Sequence, residues 1–413
     1  MQAPRKLVVI GGGASGFFCA VNAARMDPTL EVVILEKSRH LLSKVRVSGG
    51  GRCNVTHAAA DIGELAACYP RGQRFLRKAF HWFNTQHTIA WFEERGIPLK
   101  TEPDGRMFPQ SNTSETIIQC LLREADKYRV QVICQCETTA IEKTGAKFHL
   151  SLSRQGQPHS TMEADFLLLA CGGFPKAEQF NWILRLGHTL ETPVPSLFTF
   201  NIPGHPVLSL MGVSVERAHV KITGTQLQQE GPLLITHWGL SGPAVLKLSA
   251  WGARILAEKN YSFDIVVNWV PSFNEQTLSA EWLRLRQELA SSTLGSRNPF
   301  GLPARLWQYL LMASGVDGAT RWADLPGKQQ QNLIRHLVIH PFSVKGKTTF
   351  KEEFVTCGGI SLAGIDVNRM ESKKLPGLFF AGELMDVDGI TGGFNFQHAW
   401  TSGWIAANAI VNS

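Results

Sequence analysis

Leu7-Val8-Val9-Ile10, the run Gly11-Gly12-Gly13-Ala14-Ser15-Gly16 and the stretch from Phe17 to Met26 follow one another without a gap near the start of the chain. A short β-branched run reads as a buried parallel strand, and the stretch after the glycines as a helix with small residues toward a sheet. Gly11 allows a tight turn, Gly13 lets a pyrophosphate approach bare backbone, and Gly16 lets helix and strand pack closely. A second strand, Glu31 to Leu35, ends in Glu36, where a carboxylate can accept both ribose hydroxyls of an adenosine. Strand, glycines, helix, strand and acid in this register specify an α/β fold that binds a dinucleotide.

The rest of the chain narrows that class. At 413 residues it predicts two or three domains, and 44% hydrophobic with 18% charged residues excludes both a disordered tail protein and a small disulfide scaffold. Arg5 and Lys6 before an apolar stretch imitate a signal peptide, but the four glycines interrupt it, and no run approaches a membrane span. Eight cysteines without a CxxC pair or a zinc-type spacing read as reduced thiols in a cytoplasmic protein, with no metal site.

A second glycine cluster, Ser48-Gly49-Gly50-Gly51-Arg52-Cys53-Asn54, stands where a simple dehydrogenase would continue its alternating elements. Its bare backbone can lie against an isoalloxazine or a pyrophosphate, with Arg52 offering charge. A helix from Glu115 to Tyr128, with Asn112 and Glu115 at capping-box spacing, precedes strands Val130 to Cys136, Lys147 to Ser153 and Asp165 to Ala170. In the first of these, Val132, Cys134 and Cys136 share one face, as core packing requires. The meander ends in Ala170-Cys171-Gly172-Gly173, a strand-to-glycine turn resembling that of two-dinucleotide-fold flavoproteins. Near the C-terminus Leu378-Phe379-Phe380-Ala381-Gly382-Glu383 repeats the strand-to-glycine pattern, and Gly392-Gly393-Phe394-Asn395 precedes a helix from Gln397 to Val411. The positive end of that helix can stabilise charge on a reduced flavin.

Between these segments lies an insertion from about Thr192 to about Thr356. Its first part is strand-like at Phe198 to Ile202, Val213 to Thr223, Leu233 to Thr236 and Phe263 to Val270. From Asn274 the period turns helical, with Leu278, Trp282, Leu285 and Leu289 on one face, followed by Leu306 to Met312 and Gln329 to Ile339.

Taken together, GGGASG, SGGGRCN at 48–54, Thr236-His237-Trp238-Gly239-Leu240-Ser241-Gly242-Pro243 and GLFFAGELMDVDGITGGFNFQHAWTSG resemble the BaiN/RdsA-type flavoproteins along essentially the whole chain. The resemblance implies a Rossmann-like, glutathione-reductase-like FAD-binding domain at 1–191 and 357–413. A β-barrel-like domain at 192–272 and 340–356 and a small helical domain at 273–339 would interrupt it. It also implies one of two activities: reduction of uridine to dihydrouridine in large-subunit (23S) ribosomal RNA, or reduction of a small enone such as a bile-acid-like steroid. NAD(P)H would be the electron donor in either. Motifs and resemblance assign non-covalent FAD to Gly11, Gly13, Ala14, Gly16, Glu36, Lys37, Lys44, Gly50, Gly51, Arg52, Asn54, Gly172, Gly173, Gly382, Glu383, Asp386, Gly392, Gly393, Phe394 and Asn395.

Either reaction places a hydride on the β-carbon of a conjugated carbonyl and a proton on its α-carbon. Cys53 is the first candidate acid, although a cysteine there also suits simple packing; His237 is the second, although its position equally suits a hydrogen bond across its turn. Asp388 reads as the cap of the following turn. Between residues 39 and 78 stand Arg39, Lys44, Arg46, Arg52, Arg71, Arg74, Arg77 and Lys78 against Asp61 and Glu64, a local charge of 8 − 2 = +6 in a chain of net +7. Beside Phe75, Phe80 and Trp82, such a patch suits an RNA backbone with an unstacked base, Arg71, Arg74, Arg77 and Lys78 being the expected contacts. The same cations also suit a solvated face with no partner. A third reading follows from that patch: an FAD-containing RNA-binding factor without catalysis.

Overall fold

The computed structural model describes residues 4–154, 157–348 and 355–413. The chain forms two compact units, one of Met1–Ser196 with Phe350–Ser413 and one of Leu197–Thr349.

The first unit is built on the strand that opens the sequence. Lys6–Ile10 lies at the centre of a parallel array, between Glu31–Leu35 and Phe166–Leu169, with Gln131–Ile133 and Leu378–Phe380 outside them. Two short antiparallel strands, Ile365–Asp366 and Glu371–Ser372, extend the Leu378 edge. The central strands are apolar on both faces because both are covered, on one side by helices Ala14–Met26 and Phe394–Val411. Their contact is close enough that a Cβ on Gly403 would lie 2.7 Å from the Ser15 carbonyl oxygen. The C-terminal helix begins at Phe394, three residues before the expected Gln397.

Two expectations for this unit are corrected. The helix Ser114–Lys127 is capped by Thr113, whose hydroxyl accepts from the Glu115 amide at 3.4 Å; Asn112 has a φ of 56° and does not cap. The run Val130 to Cys136 is not one strand: Gln135 takes a φ of 52°, so Gln131–Ile133 joins the parallel sheet while Cys136–Thr144 starts the antiparallel meander with Lys147–Arg154 and Ser160–Ala164. Cys134 and Cys136 therefore do not share a strand face.

Entry to and exit from the insertion pair with each other: Leu190–Ser196 is antiparallel to Val355–Ile360. The second unit holds a seven-stranded antiparallel sheet in the order His340–Lys345, Ser262–Asn268, Ser214–Ile222, Gln228–Ile235, Gly239–Ser241, Thr199–Asn201, Lys347–Thr348. The edge strands His340–Lys345 and Lys347–Thr348 are joined through Gly346 alone, which curls the sheet toward a barrel. Helices Glu275–Glu288, Ala304–Ala313 and Gly327–Val338 pack Leu278, Trp282, Leu306, Trp307, Leu333 and Leu337 into the same core as the sheet's Val220, Ile265 and Leu233.

Candidate functional site

The glycine turn has the geometry its spacing requires. Gly11 sits at φ 116°, and a Cβ there would be 2.3 Å from the Ala170 carbonyl oxygen; on Gly16 a Cβ would be 2.0 Å from the Gly11 oxygen. Those two glycines serve packing. Gly13 is different: it is the N-cap of the Ala14–Met26 helix, and a Cβ added to it meets nothing within 4 Å. The helix start at Gly13 thus has open space beside it, as a diphosphate bound by the orphan amides of the first turn requires. The Glu36 carboxylate lies beside this turn, accepting from the Gly12 amide at 2.8 Å and the Ser38 amide at 2.8 Å. Lys37 lies exposed over the Phe174 ring, 5.6 Å from its centroid.

Ser48-Gly49-Gly50-Gly51-Arg52-Cys53 is folded as a broken helix end. Gly49, Gly50 and Gly51 all take positive φ, and a Cβ on Gly50 or Gly51 would again meet nothing within 4 Å. Arg52 faces elsewhere: its guanidinium is 4.0 Å from the Phe108 ring centroid and 2.6 Å from Glu102 Oε1. Cys53, at φ 60°, is fully buried, and burial pushes its thiol up to about 12, with a hydrogen bond involving Ser48 as a smaller opposing influence. Near neutral pH the buried thiol is therefore held in its protonated form.

The C-terminal motif meets the turn after Phe166–Leu169. A Cβ on Gly173 would lie 2.4 Å from Thr356 Oγ1 and 2.9 Å from Glu383 Oε1, whereas on Gly172, at φ 76°, it would be free of neighbours. Glu383 accepts from the Thr356 amide at 2.8 Å and pairs through its other oxygen with Lys44. The Gly382 amide donates to Ser402 Oγ at 2.9 Å, and its carbonyl accepts from Nε2 of buried His398 at 3.1 Å. Burial lowers His398 to about 4, so its imidazole is neutral and Nδ1 is a lone-pair acceptor. Asp386, partly buried, follows with its amide on the Ile360 carbonyl at 3.0 Å.

Gly392 and Gly393 take φ of 139° and 92°, and Gly393 caps the Phe394–Val411 helix. The side chains around them are engaged in holding the cap. Asn395 exchanges hydrogen bonds of 2.9 and 3.0 Å with the Gly389 backbone. Asn54, in the amide orientation that satisfies both its ends, accepts from the Gly393 amide at 2.9 Å and donates to the Thr56 oxygen at 3.0 Å. The buried Phe394 ring stacks on His57 at 4.8 Å. What this cap offers a ligand is backbone: the unpartnered amides of the first helical turn.

Asp388 is not a turn cap. Fully buried, it receives both prongs of the Arg71 guanidinium and the Ser196 hydroxyl at 2.7 Å. Arg71 accordingly leaves the basic patch, and so do three more of its cations: Lys44 pairs with Glu383, Arg46 with Glu115 at 2.6 Å, and Arg52 with Glu102. All four carboxylates come from outside residues 39–78, which the local sum could not count. Arg39, Arg74, Arg77 and Lys78 remain, exposed and without an ion pair among the described residues, the last three together on helix Gln73–Ala79. Phe80 is buried and unavailable for stacking; Trp82 is 47% exposed.

In the second unit His237 is exposed, 3.7 Å between ring centroids from Trp238. The turn it occupies is tied by Thr236 instead, whose amide donates to the Gly239 oxygen at 2.8 Å and whose hydroxyl accepts from the Gly239 amide at 3.1 Å. The same unit carries an open cleft of about 610 Å³, with Trp269, Val270, Leu285 and Leu302 buried in its wall and Glu216, Arg217 and Arg284 exposed along it. Among the described residues no cluster of His, Cys, Asp and Glu has the arrangement of a metal site, and no helix is long and apolar enough to cross a membrane.

A parallel sheet with a helix-capping glycine turn, an acid on the second strand and open glycines at three loop ends define a Rossmann-type dinucleotide-binding protein. The chain belongs to the family described as HI0933-like protein Rossmann domain, whose model matches residues 5–409. It is 28% identical over 98% of its length to the 3-dehydro-bile acid delta(4,6)-reductase of Clostridium scindens, covering 98% of that protein. It is also 28% identical over 98% of its length to the ribosomal RNA dihydrouridine synthase of Escherichia coli, covering 97% of that one. In fold it is similar to the 3-ketosteroid delta1-dehydrogenase of Sterolibacterium denitrificans, with a TM-score of 0.54 and 13% identity over 98% of this chain and 99% of that one. The chain is an oxidoreductase built on a Rossmann fold.

Proposed function

We propose that this protein holds FAD without a covalent link and uses NAD(P)H to reduce the conjugated double bond of uridine to dihydrouridine in 23S ribosomal RNA. FAD, when bound, would supply the hydride chemistry for saturating that double bond, with NAD(P)H as the source of electrons and a proton to be delivered to the α-carbon. The residues present suit it. Glu36 offers a carboxylate for the adenosine ribose, Gly13 and Ala14 offer a helix start for the diphosphate, and Gly50, Gly51 and Gly172 leave room that any side chain would fill. The first turn of the Phe394–Val411 helix provides amides for an electron-rich carbonyl.

The observation that carries the RNA reading is the exposed row Arg74, Arg77 and Lys78 with Trp82 just beyond it, three unpaired cations and an aromatic face on the unit that carries the dinucleotide turn. The substrate and the cytoplasmic setting it implies follow from that reading. Mass spectrometry of ribosomal RNA nucleosides from cells with and without the gene tests it: dihydrouridine should vanish from one position, and an unchanged profile would sink it. Of the two proton donors read from the sequence, His237 has the accessible imidazole. His237→Asn should slow product formation at unchanged flavin content.

A second reading, reduction of a small enone, draws support from the 610 Å³ open cleft of the inserted unit and from the pairing of four patch cations. NAD(P)H consumption with a panel of conjugated ketones, at wild-type rRNA modification in the deletion strain, would favour it. A binding factor without catalysis would retain RNA and show no NAD(P)H turnover with it.

A further inference from the structure

Thr356 lies outside every glycine motif, on strand Val355–Ile360. Its amide donates to Glu383 Oε1 at 2.8 Å, but its hydroxyl, on a residue 1% exposed, has no hydrogen-bond partner among the described residues. A buried hydroxyl without a partner is rare in folded proteins, because it loses water and gains nothing in return. The position of this one is specific. It lies so near the backbone of Gly173 that a Cβ there would be 2.4 Å from it, and the neighbouring Gly172 has open space around its Cα. Thr356, Glu383, Lys44 and the Gly172-Gly173 turn therefore come together from four separate segments.

We infer that Thr356 is a cofactor-binding residue whose hydroxyl hydrogen-bonds the polar chain of bound FAD at the Gly173–Glu383 turn. The inference rests on the FAD reading above and adds a residue to it. A hydroxyl both donates and accepts, and the polyol and phosphate groups of a flavin dinucleotide offer both kinds of partner. Glu383, with one oxygen on the Thr356 amide and the other on Lys44, can offer a ligand acceptors only, whereas the Thr356 hydroxyl can also donate.

Thr356→Val keeps the shape and removes the hydroxyl, so the test is one of opposite signs. In the apoprotein the valine should leave the thermal midpoint unchanged or raise it, because an unpaired polar group has been removed. In titrations of the full-length apoprotein with FAD, followed by flavin fluorescence, it should weaken binding about tenfold. Thr356→Ser keeps the hydroxyl and should restore wild-type affinity. Wild-type FAD affinity in the valine variant, as expected for a hydroxyl satisfied by a buried water, would overturn the inference while leaving the FAD reading intact. A valine apoprotein that loses stability, with serine failing to restore affinity, would make the hydroxyl structural and overturn it too. Wild-type protein that binds no FAD would overturn both.

Discussion

Arg71 and Asp388 are joined by a two-pronged ion pair inside the dinucleotide-binding unit, with the Ser196 hydroxyl on the same carboxylate. Asp388 is fully buried, and Arg71 shows 9% of its side chain. Removing one partner leaves the other charge buried and alone, at about 3–5 kcal/mol, whereas removing both together costs far less. Asp388→Ala and Arg71→Met should each lower the denaturation midpoint strongly, and Arg71→Met with Asp388→Leu should recover most of it. A double variant that loses the sum of the two single losses would show that the pair is not coupled.

The two glycines of the first turn should separate folding from binding. Gly16→Ala sets a Cβ 2.0 Å from a carbonyl oxygen and should give insoluble or unfolded protein. Gly13→Ala adds a methyl to open space, so the apoprotein should keep its stability within about 0.5 kcal/mol. Its FAD affinity should fall at least tenfold. Flavin content measured beside the circular dichroism melt distinguishes the two.

His340 gives the inserted unit an acid limit. Burial lowers it to about 3, helped by neighbouring His336 and His205, and its Nδ1 accepts from Trp269 Nε1 at 3.1 Å. The folded value lies below the ordinary 6.5, so the unfolded chain binds the extra proton between those pH values. This stabilisation is complete above 6.5 and is lost as pH falls toward 3, at up to about 1.4 kcal/mol per pH unit. His340→Phe should flatten that slope at a neutral-pH cost of about 1–3 kcal/mol for the unpaired indole N–H. An unchanged slope would place the acid sensitivity elsewhere.

For the RNA reading, Arg74→Glu, Arg77→Glu and Lys78→Glu together should abolish RNA binding and leave NAD(P)H-dependent flavin reduction intact. Arg71 belongs to no such variant, since its reversal would set two carboxylates against each other in the interior. Wild-type binding should weaken steeply with salt; three phosphate contacts account for a log–log slope of about −2 to −3. A charge-reversed protein that still modifies RNA would move the interface off this helix.

Local signals in the sequence were sufficient wherever the chain's own neighbours decide the outcome. The turn at Gly11 to Gly16 is dictated by sterics within a dozen residues and its strand partners, and Asn274 caps its helix as the helical period starting there suggests. Long-range pairings were not legible. Nothing near Lys44, Arg46, Arg52 or Arg71 announces that carboxylates at 383, 115, 102 and 388 neutralise them, so a local charge count overstated the patch. Thr356 was invisible for the same reason, its setting being made by residues 173 and 383. The break at Gln135 depends on one non-glycine residue with positive φ, which composition does not reveal.

The central sheet places Leu378–Phe380 beside Phe166–Leu169, and the Phe394–Val411 helix covers Ala14–Met26. On the ribosome, then, the nucleotide-binding unit stays an unfinished half until the last residues emerge, with the apolar side of its first helix uncovered throughout. The inserted unit is one continuous stretch, Leu197–Thr349, and can close while its host is still open. The topology thus lets the inserted unit fold ahead of its host, whose opening glycine turn waits for a strand and a helix from far along the chain. A premature stop after Thr349 but before the Phe394–Val411 helix would release a chain with one finished unit and one sticky half.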